Sequence, residues 1–247
     1  MFNPNISLGP WFWEPADYLI ENLPAPCHSS FGLETLKPSK LAWYPYFLWH
    51  PEEHLPKIRG AYRHLQVDQS TLRQQLCGAR EMVLNPVQSL ESLEFAIRLF
   101  SLCQICYGML LTVALSLNSW LRAADPDDTN LLHQLALFQQ EVVNLAKQAS
   151  NYRPIGASHI TMSLISAWAT TDELSRHEEI TMLLTEYQQD FSGAEWKDVA
   201  RWLMNRFAVG RANIEAVKRA HDRRFIIDDP KGLGGRRSLQ NGMCCIL

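Results

Sequence analysis

Four groups of residues in this chain have types and spacings suited to chemistry. His50-Pro51-Glu52-Glu53-His54 fits the H-x-x-E-H pattern, in which two histidines about one helical turn apart hold zinc and the glutamate activates water. The context argues against it: Pro51 makes His50 a helix cap, Pro56 follows closely, and no downstream segment offers a third ligand. Cys103 and Cys106 form a C-x-x-C, but they lie in an apolar run with no second pair at zinc-ribbon distance, so they read as small buried hydrophobes. Arg153, Ser158 and His159 flank a predicted helix start, where backbone N–H groups could meet a small anion; the alternative is a satisfied interior histidine. Cys244-Cys245-Ile246-Leu247 fits C-a-a-X, with a terminal leucine that favours geranylgeranylation of Cys244. Arg236 and Arg237 make only a weak basic patch beside it, and a chance terminus is the competing reading. No catalytic set, cofactor site or metal site is expected.

The elements that would position these groups read as helices. Between Arg98 and Arg122 no residue is charged, and residues 99–121 are long enough to cross a bilayer. Ser101, Gln104, Thr112, Ser116, Asn118 and Ser119 lower the hydrophobicity of that run, which favours the central helix of an all-α domain over a membrane span. Asn85-Pro86 predicts the start of this helix and Asp125-Pro126-Asp127-Asp128 its end, together with the start of the next. In that next helix Leu131, Leu135, Phe138, Val142, Leu145 and Ala149 recur at helical spacing and predict one buried face. Thr170-Thr171-Asp172-Glu173 and Ser192-Gly193-Ala194-Glu195 match the capping box and predict two more helices, the second with Trp196, Val199, Leu203 and Phe207 on a stripe. The basic residues Lys218, Arg219, Arg223 and Arg224 suit the negative end of that last helix as well as they suit nucleic acid. No sustained alternation argues for a sheet.

Composition sets the outer limits. A chain of 247 residues with 47% hydrophobic content can bury one core, and a net charge of -3 gives no general attraction to phosphate. The six cysteines are not spaced as a secreted disulfide scaffold, and the N-terminus lacks the pattern of a signal peptide, so cytoplasm or nucleus is expected. Nine of the thirteen prolines fall between Pro4 and Pro56, which predicts an irregular aromatic and proline-rich arm over residues 1–67. A helical domain over 68–224 and a flexible glycine-rich tail over 225–247 complete the expected organisation: all-α, single-domain.

The segment from about residue 95 to residue 207 resembles the C-terminal part of the regulatory region of fungal zinc-cluster transcription factors, especially those of secondary-metabolite gene clusters. The resemblance rests on Ile105-Cys106-Tyr107-Gly108-Met109-Leu110-Leu111, Leu121-Arg122-Ala123-Ala124-Asp125-Pro126-Asp127 and Tyr152-Arg153-Pro154-Ile155-Gly156-Ala157-Ser158. It continues through Ala167-Trp168-Ala169-Thr170-Thr171-Asp172 to Glu186-Tyr187-Gln188-Gln189-Asp190-Phe191 and Trp202-Leu203. It implies a helical regulatory body that works by protein contacts, with a full-length zinc-cluster regulator or a second copy as partner. The family's DNA-binding module gathers six cysteines within a short stretch around two zinc ions, and these residues hold no such cluster, so direct DNA binding is not expected. Two other classes stand beside this one: a prenylated, membrane-tethered helical interaction protein, and an all-α enzyme of unknown reaction.

Overall fold

The computed structural model describes residues 33–85, 90–153, 157–190, 193 and 195–228, and every regular element among them is helical. Two short helices, α1 (Pro38–Leu41) and α2 (Tyr44–Trp49), lead into α3 (Pro51–Leu84) and α4 (Leu90–Ala124). After these come α5 (Thr129–Ala149), a 3-10 turn (Ser150–Tyr152), α6 (Ile160–Thr170), α7 (Leu174–Gln188) and α8 (Trp196–Asp228). The fold is a single all-α domain, as composition and periodicity predict.

The arm expected over residues 1–67 is corrected within the described part. Residues 51–67 belong to the 34-residue α3, although Pro51 and Pro56 both lie in it. Pro51 is harmless at the first helical position, where its missing N–H has no partner to lose. Pro56 forfeits one helical bond, and burial along the same helix offsets that loss: Ile58, Tyr62, Leu65 and Leu72 recur at spacings of three, four and seven and are all buried. Proline content is a local signal, and the tertiary face overrode it.

At the centre lies α4. Its uncharged run is buried on nearly every side from Phe100 to Ala124, with α3 on one flank, α5 and α6 on another and α8 across a third. The same helix is long and apolar enough to cross a membrane by length and composition, and most of its apolar window is buried inside the protein. Trp120 is fully buried between Phe207 of α8 at 5.6 Å and Tyr44 of α2 at 6.3 Å, centroid to centroid, in tilted and edge-on contacts. Several polar groups trapped at these seams are paired across helices, while Asn118 Oδ1 and Trp120 Nε1 have no hydrogen-bond partner among the described residues. Asn118 Nδ2 donates to Tyr62 Oη and to the Leu131 carbonyl, both at 2.9 Å, and Tyr62 Oη donates to Gln134 Oε1 at 2.6 Å. Burial drives the Tyr62 phenol up to about 12, which keeps it a neutral donor. Tyr44 and Tyr187 likewise donate to the carbonyls of Val113 and Ala146, each at 2.7 Å.

Helix starts follow the expected logic at one turn and depart from it at another. Asp128 caps α5, its Oδ1 accepting from Asn130 N at 2.9 Å and Leu131 N at 3.2 Å, and all six residues of the predicted α5 face are buried. The box at Thr170 does not form. Thr170 ends α6, its hydroxyl donates back to the carbonyls of Ser166 and Ala167, and α7 begins after Glu173 with no side-chain cap. At α8 the Trp196 N–H is taken by Gln188 Oε1 at 2.7 Å, an acceptor from the end of α7 that no local motif announces. Ser192 lies outside the described residues.

The α3–α4 pair is longer than the bundle around it. At about 1.5 Å per residue these 34- and 35-residue helices span about 50 Å each, whereas the 21-residue α5 covers about 32 Å. Helix α5 runs back along α4 to the level of Gly108, where Leu145 packs, and α6 begins at the same level. Beyond it only a small core of Ala79, Phe100 and Cys103, with Leu76, Val83 and Leu99 against it, joins the two helices. Met82, Leu84, Leu90, Phe95 and Ile97 in this overhang are 41–74% exposed.

Candidate functional site

The H-x-x-E-H residues do not assemble a zinc peptidase site. His50 precedes α3 as its cap, and the His54 ring sits among Trp43, Tyr46 and Phe47, with centroids at 5.9, 6.3 and 6.0 Å. Donor atoms of His50, Glu52 and Glu53, rather than of both histidines, come within 4.8 Å of one another. Glu52 is already engaged: Oε1 accepts from Asn213 Nδ2 at 3.3 Å and stands 3.8 Å from His50 Nδ1. Nearby, Arg206 lies over the Trp49 ring at 4.0 Å and donates to the Leu48 carbonyl at 3.2 Å, so these residues clasp α2 and α3 to α8.

Cys103 is fully buried against Ala79 and Phe100, and Cys106 packs partly buried on the main core. Their place is apolar packing, as the sequence suggests.

Arg153, Ser158 and His159 turn to different neighbours. Arg153 Nε and Nη2 grip Asp190 at 2.5 and 2.9 Å, Nη1 pairs with the Glu186 carboxylate, and Nη2 also reaches the Glu186 carbonyl at 2.6 Å. This two-oxygen clamp holds the Asp190 carboxyl below its ordinary range through the Arg153 hydrogen bonds and ties the 3-10 turn to the end of α7. His159 instead faces α4. A Cβ placed on Gly108 would stand 3.4 Å from His159 Cδ2 and 3.2 Å from Ser163 Oγ, so α6 packs closely on α4 at this glycine. Burial alone pushes the His159 imidazole down to about 4, and its Nε2 has no hydrogen-bond partner among the described residues. Ser158 is exposed. Arg153 therefore has its donors taken while His159 is neutral and interior, an arrangement that suits packing rather than anion capture.

A half-buried carboxylate that joins three helices is one that sequence reasoning passed over. Glu141 of α5 accepts from Tyr107 Oη and, at 3.0 Å, from Gln69 Nε2, and its other oxygen is 3.3 Å from Arg73 Nη1. Burial and the adjacent carboxylate raise the Tyr107 phenol far above its ordinary value, so it acts as a fixed donor. Every oxygen here is satisfied from within, and the seam joins α3, α4 and α5. Lys218 plays a comparable part: its Nζ donates to the Ala124 carbonyl at the C-terminus of α4, a neighbouring helix rather than the end of α8 that its position in the sequence suggested, since α8 runs on to Asp228. Cys244 lies outside the described residues.

Among the described residues a shallow, open concavity of about 520 Å³ lies between the end of α6, α7 and the first turns of α8. Trp168 and His177 line it together with Met182, Lys197 and Arg201. Two i,i+4 pairs, His177 with Thr181 and Lys197 with Arg201, were legible in the sequence, but only the tertiary fold sets the two helices face to face. Comparison with known proteins adds nothing to this geometry, since no family model, no curated protein and no solved structure matches the chain.

Proposed function

We propose that this chain is a helical regulatory body that acts on transcription, of a fungal secondary-metabolite gene cluster, through protein–protein contacts rather than through a zinc cluster of its own. The observation that carries the contact reading is the overhang. Two long helices project beyond the bundle and leave Leu84, Leu90, Phe95 and Ile97 exposed at 66, 74, 60 and 44%, large apolar side chains spread around the projection that suit contact with a partner. Support from the other side comes from the interior, where Glu141, Asn118 and Arg153 spend their polar capacity on joining helices. The transcriptional part rests on the resemblance of residues 95–207 to the zinc-cluster regulators. A second copy or a full-length regulator of that family is the partner the resemblance implies.

Deletion of the gene tests the reading directly. Transcripts of the neighbouring biosynthetic cluster are expected to fall or rise several-fold in the deletion strain and to return on complementation. Unchanged transcripts across the cluster would remove the transcriptional role.

A further inference from the structure

The outer face of α2 shows a group of aromatic rings that nothing among the described residues covers. Tyr46 is 57% exposed, Trp49 51% and Trp43 38%, and the three recur at a spacing of three residues. Phe47 points the other way into the core, so one side of this short helix holds it in place and the other displays the rings. Trp43 and Tyr46 lie 5.5 Å apart, centroid to centroid. A cation bounds the group at each end, and both are in use. Lys57 Nζ stands 3.5 Å from the Trp43 centroid, and Arg206 lies over Trp49 while donating to the Leu48 carbonyl. The indole N–H groups of Trp43 and Trp49 and the Tyr46 hydroxyl donate to no described residue. Open ring surface with three spare donors and no spare charge suits an occupant with apolar rings, free carbonyls and few N–H groups. A proline-bearing extended segment has that chemistry, since proline has no N–H and the polyproline II backbone leaves its carbonyls unbonded.

We infer that the occupant is the chain's own Leu23-Pro24-Ala25-Pro26-Cys27, docked in extended form on Trp43, Tyr46 and Trp49. These five residues precede the described part, which begins at Leu33, and reach favours an occupant from within the chain. The Thr35 N–H donates to Asp68 Oδ2 at 2.6 Å and fixes the start of the described chain against α3. Asp68 is eleven residues along α3 from Lys57, the neighbour of Trp43, a distance of about 16 Å at about 1.5 Å per residue. Pro26 is seven residues before Leu33, and an extended stretch of that length covers about 22 Å at about 3.1 Å per residue. The tether therefore spans the gap with little slack, which keeps the local concentration of the segment high. Charge agrees with the assignment: residues 22–33 hold no Asp, Glu, Lys or Arg and ask nothing of the two occupied cations. With three residues per turn, Leu23 and Pro26 share one side of such a segment and offer two apolar groups to the rings. The inference is independent of the transcriptional reading and of the contact proposed for the overhang.

Fluorine NMR of the full chain labelled with 5-fluorotryptophan tests this, with the Trp43 and Trp49 signals assigned through Trp43→Phe and Trp49→Phe and the fully buried Trp120 as the internal control. Replacing Pro24 and Pro26 together by serine should move the Trp43 and Trp49 signals and leave Trp120 in place. A synthetic peptide of residues 20–30 added to that double variant should then return both signals saturably toward their wild-type positions. Tyr46→Ser in the same background should weaken the peptide about tenfold, the size expected for one lost aromatic anchor. Trp43 and Trp49 signals that are identical in the wild type and the double variant overturn the proposal. So do wild-type signals that shift with protein concentration, which would put a second copy on α2. A shift on vesicles of phosphatidylserine and phosphatidylcholine that the wild type and the double variant share overturns it as well, in favour of a lipid surface.

Discussion

The two ends of α4 belong to one continuous helix and meet opposite fates. Around Trp120 the helix is wrapped by α2, α3, α5 and α8, and nearly every residue is buried. Around Phe95, little more than one turn inside the other end, only α3 lies alongside among the described residues, and Ala96 is the one fully buried residue between Leu90 and Leu99. The stretches differ in polarity as well as in neighbours: Glu91, Glu94 and Arg98 flank Phe95, while no charge lies between residues 99 and 121. Neighbour length acts in the same direction, since α5 stops near the level where α6 packs at Gly108 and what lies beyond is a two-helix projection. One end of the hairpin is therefore a stability element, and the other is free to serve contact.

The sharpest way to break that contrast is paired truncation. Trp120→Ala removes a fully buried indole and should cost about 3–5 kcal/mol in urea unfolding, while Phe95→Ala, 60% exposed, should stay within about 0.5 kcal/mol. A Phe95 variant as costly as the Trp120 one would mean the overhang is covered and stabilising.

Acid should reach the bundle through His159. Its folded value of about 4 lies below the ordinary value of about 6.5, so above pH 6.5 both states are neutral and the histidine is silent. As pH falls from 6.5 toward 4 only the unfolded chain takes the proton, and stability drops by up to about 1.4 kcal/mol per pH unit before levelling below 4. His159→Gln should flatten that slope in unfolding curves measured across the window. An unaltered slope would place the acid sensitivity elsewhere.

Two glycines sharpen the comparison at smaller scale. A Cβ on Gly210 would stand 2.9 Å from Pro51 Cγ and 3.3 Å from Trp120 Nε1, so Gly210→Ala should destabilise by about 1–3 kcal/mol. Gly78, in the overhang, has nothing within 4 Å of such a Cβ, and Gly78→Ala should stabilise by about 0.5–1 kcal/mol through helix propensity alone. Opposite signs in thermal melts are the expected result; equal signs would erase the distinction.

The sequence made the fold class and much of the core legible for a physical reason: the α5 face and the uncharged α4 run are periodic signals long enough to outweigh local accidents. It misread the stretch from Pro51 to residue 67, because two prolines look decisive locally and the buried Ile58–Tyr62–Leu65 face that overrides them is visible only beside α4. Site residues fared less well. Arg153 and His159 are near in sequence but turn to α7 and α4 respectively, while the concavity draws Trp168, Met182 and Lys197 from three helices whose juxtaposition no spacing encodes. Gln188 capping α8 is the same lesson at the scale of one hydrogen bond.

The most direct test of the proposed contact role replaces Leu90, Phe95 and Ile97 together by serine in the organism that carries the gene and reads the transcripts that change in its deletion strain, with protein level and unfolding midpoint measured alongside. The account predicts a transcript response that matches the deletion strain, from a protein that is present at wild-type level and no less stable. A transcript response identical to wild type from that same protein would contradict it.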